Sequence, residues 1–439
     1  MTENLRPLWA WFLAVLLVIS LVACRDDGNS HGSSGAVSQG AVVQSQKDRT
    51  MAPQTNEEDG DELAEGNTAF AFDMYQTLRQ QDDNLIYSPY SISLALAMTY
   101  AGARGETEQQ MAETLHFTLG QNRLHPAFNA LDLELAHRGE GAQGAKGEGF
   151  QLNIANAIWG QTGYSFLEVF LDTLAENYGA GLRLLDFASD PEACRLTIND
   201  WVSDRTEDKI QDLIPMNAIS PLTRLVLTNA IYFNAAWNFP FDVAATQSGF
   251  FHLLDGGEVS ADMMSQEEYL GYIKGWDYEA VELPYDGREL SMVIFLPVKG
   301  RFKAFEKALT ADKANSMVAQ LTYENVRLTM PRFSFSFGLS LTQALRAMGM
   351  PDAFNPSVAD FSGMDGAFNL FISDVIHKAF IAVDEAGTEA AAATAVIMKL
   401  TAMPKEPIVV SVDRPFIFMI RDIPTKTVLF MGRVLDPEV

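Results

Sequence analysis

The hydrophobic pattern changes sharply along the chain. An almost unbroken apolar run occupies residues 8–23, and residues 25–66 then carry Ser, Gly, Gln, Asn and acidic residues with few large apolar side chains. Such a polar segment buries too little surface to offset the entropy of ordering, so we expect a disordered tether at 24–66. From Asn67 onward apolar residues recur at helical and strand spacings, which predicts a single folded domain at 67–439.

Within this domain, strand-like and helix-like stretches are mixed without a regular alternation. Patterns typical of strands occupy residues 151–159, 225–233, 269–272, 280–284, 291–296, 327–335, 374–383, 408–412, 415–421 and 427–434. Patterns typical of helices begin at Asn67 and at Ser88-Pro89 and recur at 106–115, 126–137, 166–178, 194–206, 301–308, 312–320 and 339–348. The absence of a strict strand-helix alternation predicts a mixed α+β architecture with a largely antiparallel sheet.

The charge balance excludes one class of partner. The chain carries 31 Lys and Arg against 57 Asp and Glu, a formal net charge of −26. A field of that sign repels phosphate backbones and other polyanions, so we expect no nucleic-acid partner and disfavour a heparin-type cofactor.

The N-terminal apolar run has the form of an export signal. It follows Arg6, is somewhat short for a membrane-spanning helix, and predicts a signal peptide at 1–23. Its end, Leu21-Val22-Ala23-Cys24, resembles the lipobox of bacterial lipoproteins, which implies lipidation of Cys24. An ordinary cleaved signal or an uncleaved anchor are the alternatives. We therefore expect an exported protein, lipid-anchored at the periplasmic or outer surface of a bacterial cell envelope, or secreted if Cys24 is not lipidated.

The cysteine count leaves the fold without a disulfide. If Cys24 carries lipid, only Cys194 remains, and it has no cysteine to pair with. We interpret Cys194 as a structural residue, since no histidine lies near it in the sequence to activate a thiolate.

Motifs of enzyme chemistry are missing from the sequence. There is no Gly-x-Ser-x-Gly, His-Glu-x-x-His or Cys-x-x-Cys, and the six histidines show no metal-ligand spacing. A Gly-x-Gly-x-x-Gly match at 139–144 follows a helix pattern rather than a strand, so we interpret it as a loop and not a dinucleotide site. The sequence predicts a protein that is not an enzyme and that has no metal or cofactor.

One segment, residues 383–404, is unusual in its content of small side chains. Helix propensity alone favours a core helix capped at Thr388. A strand is the alternative, because one period-2 face is small and uncharged throughout and could be buried without overpacking. Gly387 would then let the chain swing at the start of the segment. The members of that face are Thr388, Ala390, Ala392, Thr394 and Val396.

The sequence from Glu385 to Thr394, Glu-Ala-Gly-Thr-Glu-Ala-Ala-Ala-Ala-Thr, resembles the proximal hinge of the serpins, a family of metastable protease inhibitors. Further blocks resemble the same family in the same order: 84–92, 227–233 with Trp237, 413–418 and 429–434. The resemblance covers Asn67 to the C-terminus. It implies a serpin fold with a large central, mainly antiparallel sheet, two smaller sheets, about eight or nine helices and an exposed reactive-centre loop at about 385–404.

The resemblance also implies a function. Inhibitory serpins are suicide substrates of serine endopeptidases, and in some cases of cysteine endopeptidases, and trap the acyl-enzyme by inserting the cleaved loop into the central sheet. A non-inhibitory surface binding protein of the same family is the alternative. The implied partner is a target protease bound covalently to a monomer, with membrane contact only through the N-terminal lipid.

Several residues take roles by this resemblance. Counting seventeen residues from Glu385 places the scissile bond at Thr401–Ala402, with Lys399–Leu400 and Leu400–Thr401 as alternatives. The hinge positions are Glu385, Gly387, Thr388, Ala390, Ala392 and Thr394. The polar positions beneath the strands that separate, and the tryptophan at the top of the sheet, are Ser88, Ser91, Asn229, His377 and Trp237.

Overall fold

The computed structural model describes residues 40–140, 142, 151–388 and 406–438. These residues form ten α-helices and sixteen strands. The helices are α1 (Glu57–Leu78), α2 (Pro89–Tyr100), α3 (Gly105–Leu115), α4 (Gln121–Ala136), α5 (Glu168–Tyr178), α6 (Pro191–Arg205), α7 (Phe302–Lys307), α8 (Ala311–Ala319), α9 (Thr342–Met348) and α10 (Ser362–Asp365). The strands are β1 (Ala41–Val43), β2 (Leu85–Tyr87), β3 (Gln151–Gln161), β4 (Leu182–Leu185), β5 (Leu225–Ala236), β6 (Gln247–His252), β7 (Glu258–Lys274), β8 (Tyr278–Pro284), β9 (Leu290–Pro297), β10 (Thr322–Pro331), β11 (Phe333–Ser340), β12 (Ile372–Val383), β13 (Gly387–Thr388), β14 (Ile408–Ser411), β15 (Phe416–Asp422) and β16 (Val428–Val434).

The first helix begins ten residues before the predicted start at Asn67. Asn56 caps it, accepting a hydrogen bond from the Asp59 N–H at 2.8 Å, while the Asp59 carboxylate accepts from the Asn56 N–H at 3.3 Å. The acidic first turn suits the positive end of the helix dipole, although in sequence it looks like part of a polar tether. The prediction of disorder is therefore wrong for residues 57–66.

The segment before this helix is also ordered from residue 40. Strand β1 adds to the edge of the central sheet by antiparallel pairing with β4. Arg49 then donates to Asn129 Oδ1 at 2.8 Å and to Asp132 Oδ2 at 2.7 Å on α4, and the Lys47 ammonium lies 3.0 Å from Asp172 on α5. These specific polar contacts replace the apolar burial that the segment lacks.

The central sheet has seven strands in the order β1-β4-β3-β5-β13-β12-β11. Its pairs are mainly antiparallel, as expected, but β12 runs parallel to β5 from Ile372–Leu225 to Phe380–Tyr232. At the far end of this parallel pair the two-residue strand β13 lies between β5 and β12. The sheet is thus closed along most of the two strands and has begun to separate at one end.

A nine-stranded sheet packs behind the central one, in the order β14-β10-β7-β8-β9-β15-β16-β2, with β6 on β7. Two smaller sheets are expected from the sequence. Among the described residues they form one hydrogen-bonded sheet because β7 is seventeen residues long. It pairs with β6 over residues 258–263, with β10 over 263–272 and with β8 over 271–274.

One predicted strand is in fact two. The run 327–335 contains the end of β10 and the start of β11, which belong to different sheets. The chain changes sheets at Pro331-Arg332, where proline lacks an amide donor for the ladder. Arg332 thereby lies at the junction of the two sheets, between β10 and β11.

Helix α2 lies between the two sheets with all of its residues buried. Ser88 caps it, accepting from the Ser91 N–H at 3.1 Å, and Pro89 is its first residue, so this predicted helix start is confirmed. In the described part of the chain no helix is both long and apolar enough to cross a membrane.

Candidate functional site

The described part of the predicted hinge enters the central sheet as the two-residue strand β13. Gly387 pairs with Ala236 and Thr388 with Ala235 on β5, and Thr388 also faces Val383 on β12. The site therefore consists of this hinge and the parallel strand pair ahead of it.

Gly387 fits this position because it has no side chain. A Cβ atom there would overlap the carbonyl oxygen of Ala235 and lie 2.7 Å from the Ala236 Cα. Any larger residue would therefore push β13 away from β5.

Thr388 is fully buried at the end of the described hinge. Its Oγ1 lies 2.8 Å from the Tyr285 hydroxyl, in a hydrogen bond that either group can donate. The Tyr285 ring stacks on Trp237 at 4.6 Å between centroids and 11° between planes. Burial raises the pKa of Tyr285 well above its ordinary value, so the phenol stays protonated and can donate.

Trp237 holds the chain on the approach to the hinge. Its backbone N–H donates to the Ala386 carbonyl at 2.9 Å, and its indole N–H donates to the Asp384 carbonyl at 3.0 Å. The Asp384 carboxylate in turn accepts from the N–H groups of Ala386 and Gly387, at 2.8 and 3.2 Å. Residues 384–387 thus form a turn whose shape is fixed by hydrogen bonds at several points.

Glu385 is a buried carboxylate with two partners. Arg332 donates to both of its oxygens, at 2.7 and 2.5 Å, and the Thr246 hydroxyl donates at 2.5 Å. Burial by itself would raise the pKa of Glu385, but the hydrogen bonds from Arg332 and Thr246 outweigh it and leave the pKa below its ordinary value. The start of the hinge is therefore fixed by an ion pair at the junction of the two sheets.

Ahead of β13, three polar residues form one row across the central sheet. Asn229 on β5 pairs with Asn156 on β3 and with His377 on β12. The Asn229 amide donates to Asn156 Oδ1 at 2.6 Å, and Asn229 Oδ1 accepts from His377 Nδ1 at 2.5 Å. This row crosses the two strands at the place where they would separate.

Ser88 and Ser91 connect the row to α2. Ser91 Oγ accepts from the Asn229 amide at 2.7 Å, and the Ser88 N–H donates to His377 Nε2 at 3.4 Å. Burial lowers the pKa of His377 to about 3. The imidazole is therefore neutral, with its proton on Nδ1, as its two partners require.

The structure thus brings together Ser88, Ser91, Asn229 and His377 in one cluster, and Glu385, Gly387, Thr388 and Trp237 in a second. The remaining predicted positions lie outside the described residues: Cys24, Ala390, Ala392, Thr394, Lys399, Leu400, Thr401 and Ala402.

Four residues of these clusters are missing from the sequence-based prediction: Asn156, Thr246, Tyr285 and Arg332. Asn156 could have been suspected, because it is a polar residue near the centre of a predicted strand. The other three follow only from the three-dimensional contacts.

Neither cluster contains the parts of a nucleophilic or metal site. No group of three or more potential metal ligands occurs among the described residues. Cys194 is buried on α6, and burial raises its pKa to about 11, which suppresses the thiolate. The site consists of β13, inserted between β5 and β12 at one end, and of the polar row that joins β5 and β12 further along the sheet.

Known proteins are similar to this chain in both sequence and fold. The sequence profile of the family described as Serpin (serine protease inhibitor) matches residues 65–437. An uncharacterized serpin-like protein of Thermococcus kodakarensis is 40% identical over 372 residues, 84% of each chain. The leukocyte elastase inhibitor of Homo sapiens is 38% identical over 389 residues, which cover 86% of this chain and all of the relative.

A solved structure agrees with the family match. The crystal structure of the thermophilic serpin Tengpin in its native state superposes with a TM-score of 0.80 at 29% identity, covering 90% of this chain and 99% of that one. The predicted α+β serpin fold is therefore confirmed. Together, the matched profile, the relatives and the shared fold show that this chain belongs to the serpin family.

Proposed function

We propose that this protein is an inhibitory serpin, a suicide substrate that traps a serine endopeptidase as an acyl-enzyme and is not itself an enzyme. The observation that carries the proposal is β13, the hinge already paired on both sides with two strands that are otherwise bonded to each other. Such a sheet has a defined entry point for one more strand.

The register of β13 defines where the rest of the segment would pair. Each further residue would move one position back along β5, so Thr394 would lie opposite Asn229. Extended in the same way, the pairing with β12 would bring Thr394 opposite His377, and Asn229 and His377 are themselves register partners. Because directly opposed residues share a face, Thr388, Ala390, Ala392, Thr394 and Val396 would all face the core, where only small side chains fit.

The chemistry belongs to the protease. Its serine hydroxyl adds to the carbonyl carbon of Thr401, the Thr401–Ala402 peptide bond breaks, and the serine proton leaves on the new amine of Ala402. The result is an ester between the protease and Thr401. Insertion of residues 389–401 would then carry the ester about 40 Å along the sheet before water can hydrolyse it.

The energy for this movement comes from the sheet. Insertion breaks the single parallel ladder between β5 and β12 and forms two antiparallel ladders, a net gain of one ladder. At about 0.5–1.5 kcal/mol for each additional hydrogen bond, the gain is on the order of 10 kcal/mol. That is comparable with the whole stability of an ordinary domain, and so is sufficient to distort an attached protease.

The candidate scissile bonds favour different protease classes. Thr401–Ala402 suits elastase-like or subtilisin-like enzymes, and the name of the human relative, leukocyte elastase inhibitor, supports this choice. Leu400–Thr401 would suit chymotrypsin-like enzymes and Lys399–Leu400 trypsin-like ones. We further propose that the protein acts as a monomer, without a heparin-type cofactor, and is held at the outer or periplasmic surface of a cell envelope by lipid on Cys24.

The test is incubation with an elastase-like, a chymotrypsin-like and a trypsin-like protease. We expect a complex with at least one of them that survives SDS, and a released C-terminal peptide whose mass identifies the cleaved bond. Calorimetry before and after loop cleavage should show a large rise in the thermal midpoint. Cleavage without a covalent complex and without that rise would favour the alternative, a non-inhibitory surface binding protein.

A further inference from the structure

One side of the nine-stranded sheet carries large apolar side chains that are exposed to solvent. Tyr269 on β7, Tyr323 on β10 and Val409 on β14 are 64%, 74% and 61% exposed. Their strands are neighbours in the order β14-β10-β7. The solvent-facing side of a sheet is usually polar, so a cluster of large apolar side chains there indicates a surface that contacts a partner.

The strand register places the three side chains on the same side of the sheet. Tyr269 is opposite Asn325 on β10, and Val409 is opposite Arg327 on the same strand. Residues two apart on a strand share a side, as do directly opposed residues, so Tyr323 lies on the same side as Asn325 and Arg327. The two tyrosines are therefore diagonal neighbours on adjacent strands.

An ion pair lies next to the three apolar side chains. Arg327 donates to Glu267 Oε2 from Nε at 3.1 Å and from Nη2 at 2.8 Å, and the two side chains are 52% and 39% exposed. Aromatic rings beside polar groups are typical of the surfaces through which proteins bind one another. We call five residues the loop-side face: Tyr269, Tyr323, Val409, Glu267 and Arg327.

This face lies where the chain returns from the reactive loop to the fold. Strand β14 begins at Ile408, opposite Val326, and runs parallel to β10. Ala402, on the far side of the predicted scissile bond, is six residues before Ile408, which is at most about 20 Å of extended chain. A protease domain is about 40 Å across, so one that is bound at this bond is large enough to cover the loop-side face.

We infer that the loop-side face is a second contact surface for the target protease, used in the encounter complex before the peptide bond is cut. This inference rests on the proposed function. The loop presents the scissile bond, and the face binds the protease surface beside its active-site cleft. Because the loop already holds the protease nearby, this second contact is effectively intramolecular and raises the population of the encounter complex. The partner that fits is a serine endopeptidase with an apolar surface next to its cleft.

The test changes the face without changing the loop or the hinge. The full chain carrying Tyr269→Thr and Tyr323→Thr is compared with the wild type, because threonine is polar and suits an exposed strand. A second variant, Tyr269→Phe with Tyr323→Phe, keeps both rings. The control carries Leu222→Ser and Phe368→Ser, which are 73% and 69% exposed and lie just before β5 and β12, at the end of the central sheet away from the hinge.

The probe is the protease that forms the SDS-stable complex with the wild type. Two quantities are measured: the second-order association rate constant far below saturation, and the number of inhibitor molecules used for each protease inhibited. In the Thr variant we expect the rate constant to fall about tenfold or more, because contacts of the encounter complex are lost. The second quantity should be unchanged, because insertion follows cleavage. The Phe variant and the control should keep a rate constant within about threefold of the wild type.

Each outcome decides a different claim. If the wild type forms no covalent complex, the proposed function fails and the inference fails with it. If the complex forms and the Thr variant associates at the wild-type rate, the inference alone is overturned. An unchanged rate together with a smaller apparent mass of the Thr variant in gel filtration would show that the face joins two copies of the chain, which also overturns it.

A single variant covers the case in which the double variant does not fold. Tyr323→Thr changes the second residue of β10, near the end of that strand. It is expected to lower the association rate constant about threefold or more, because one of the two ring contacts is lost. An unchanged rate constant in this variant overturns the inference.

Discussion

Nδ1 of His377 lies 2.5 Å from Oδ1 of Asn229, across the two parallel strands of the central sheet. The same two residues are the register positions that would flank Thr394 on insertion. This hydrogen bond therefore belongs to the closed sheet and has to be replaced when a strand enters. The buried side chains of Asn156, Asn229 and His377 need a hydrogen-bond partner both before and after the strands separate, because an unpaired buried polar group is destabilising.

The first prediction concerns pH. His377 has its pKa lowered to about 3 by burial, against an ordinary value of about 6.5, so the unfolded chain binds a proton in this range that the folded protein excludes. The contribution of His377 to the free energy of unfolding is therefore complete above pH 6.5. It decreases by about 1.4 kcal/mol per pH unit as the pH falls toward 3. We expect His377→Gln to be less stable at pH 7 but to lose less stability between pH 7 and 5.

The measurement is the urea midpoint of the uncleaved protein at a series of pH values. His125, whose pKa burial lowers to about 4, is retained in both proteins and contributes the same slope to each. Parallel pH dependences for the wild type and His377→Gln would contradict the prediction.

The second prediction concerns Thr388, which is fully buried in β13. Thr388→Arg would place a charge against Tyr285 and the core, at a cost of several kcal/mol, and so block insertion at its second residue. We expect the variant to be cleaved as a substrate with no SDS-stable complex. Thr388→Ser, which keeps the hydroxyl, should still inhibit; complexes formed by the Arg variant would show that the mechanism is wrong.

The third prediction concerns the ion pair at the junction of the sheets. Arg332→Met removes both donors to Glu385 and leaves a buried carboxylate with Thr246 as its remaining side-chain partner. Because Arg332 itself is partly exposed, we expect a loss of about 1–3 kcal/mol, seen as a lower thermal midpoint of the uncleaved protein. Arg332→Lys, which keeps the positive charge, should recover part of the lost stability. Equal midpoints for the Met variant and the wild type would show that the ion pair does not fix the hinge.

Local features of the chain were predictable because their causes are local. Ser88 and Pro89 carry the chemistry of a helix start within two residues, and the structure has the cap and the helix there. The small residues on one face from Thr388 likewise predict a strand, of which the described residues Gly387 and Thr388 form the start. Such patterns reveal the kind of structure but not its neighbours.

Contacts between distant segments were not predictable in this way. Arg332 and Glu385 are far apart in sequence, and Arg332 falls inside what reads as one continuous strand. Asn156 joins the polar row only through the register of β3 on β5, which a single sequence does not determine. The acidic start of α1 could not be told from a tether for a local reason, since a helix N-terminus and a disordered tether favour the same residues.

The fourth prediction concerns the two cysteines. Cys194 is buried with a pKa of about 11, so we expect it not to react with a thiol reagent at pH 8 until the protein unfolds. If Cys24 is acylated as we propose, the exported protein should show no reactive thiol when native and one after denaturation. One native and two denatured thiols would mean that Cys24 is present and free of lipid.

The last prediction compares the effects of replacing Thr388 and Thr394, the two threonines on the face of the segment that would point to the core. Thr388 is already buried before cleavage, whereas Thr394 would reach Asn229 and His377 only on full insertion. Thr394→Val should therefore leave the thermal midpoint of the uncleaved protein unchanged and lower the stability of the cleaved protein by about 1–3 kcal/mol, because the polar row loses a hydroxyl partner. Thr388→Val should affect both forms, since its bond to Tyr285 exists in both.

Ala395→Val is the matched control, because residue 395 would lie on the other face of the sheet from the polar row, opposite Thr228 rather than Asn229. It should not reproduce the loss seen with Thr394→Val in the cleaved protein. If Thr394→Val instead destabilised the uncleaved form as much as the cleaved one, residue 394 would already be in the sheet before cleavage. The native molecule would then have no free energy of insertion left to act on a protease.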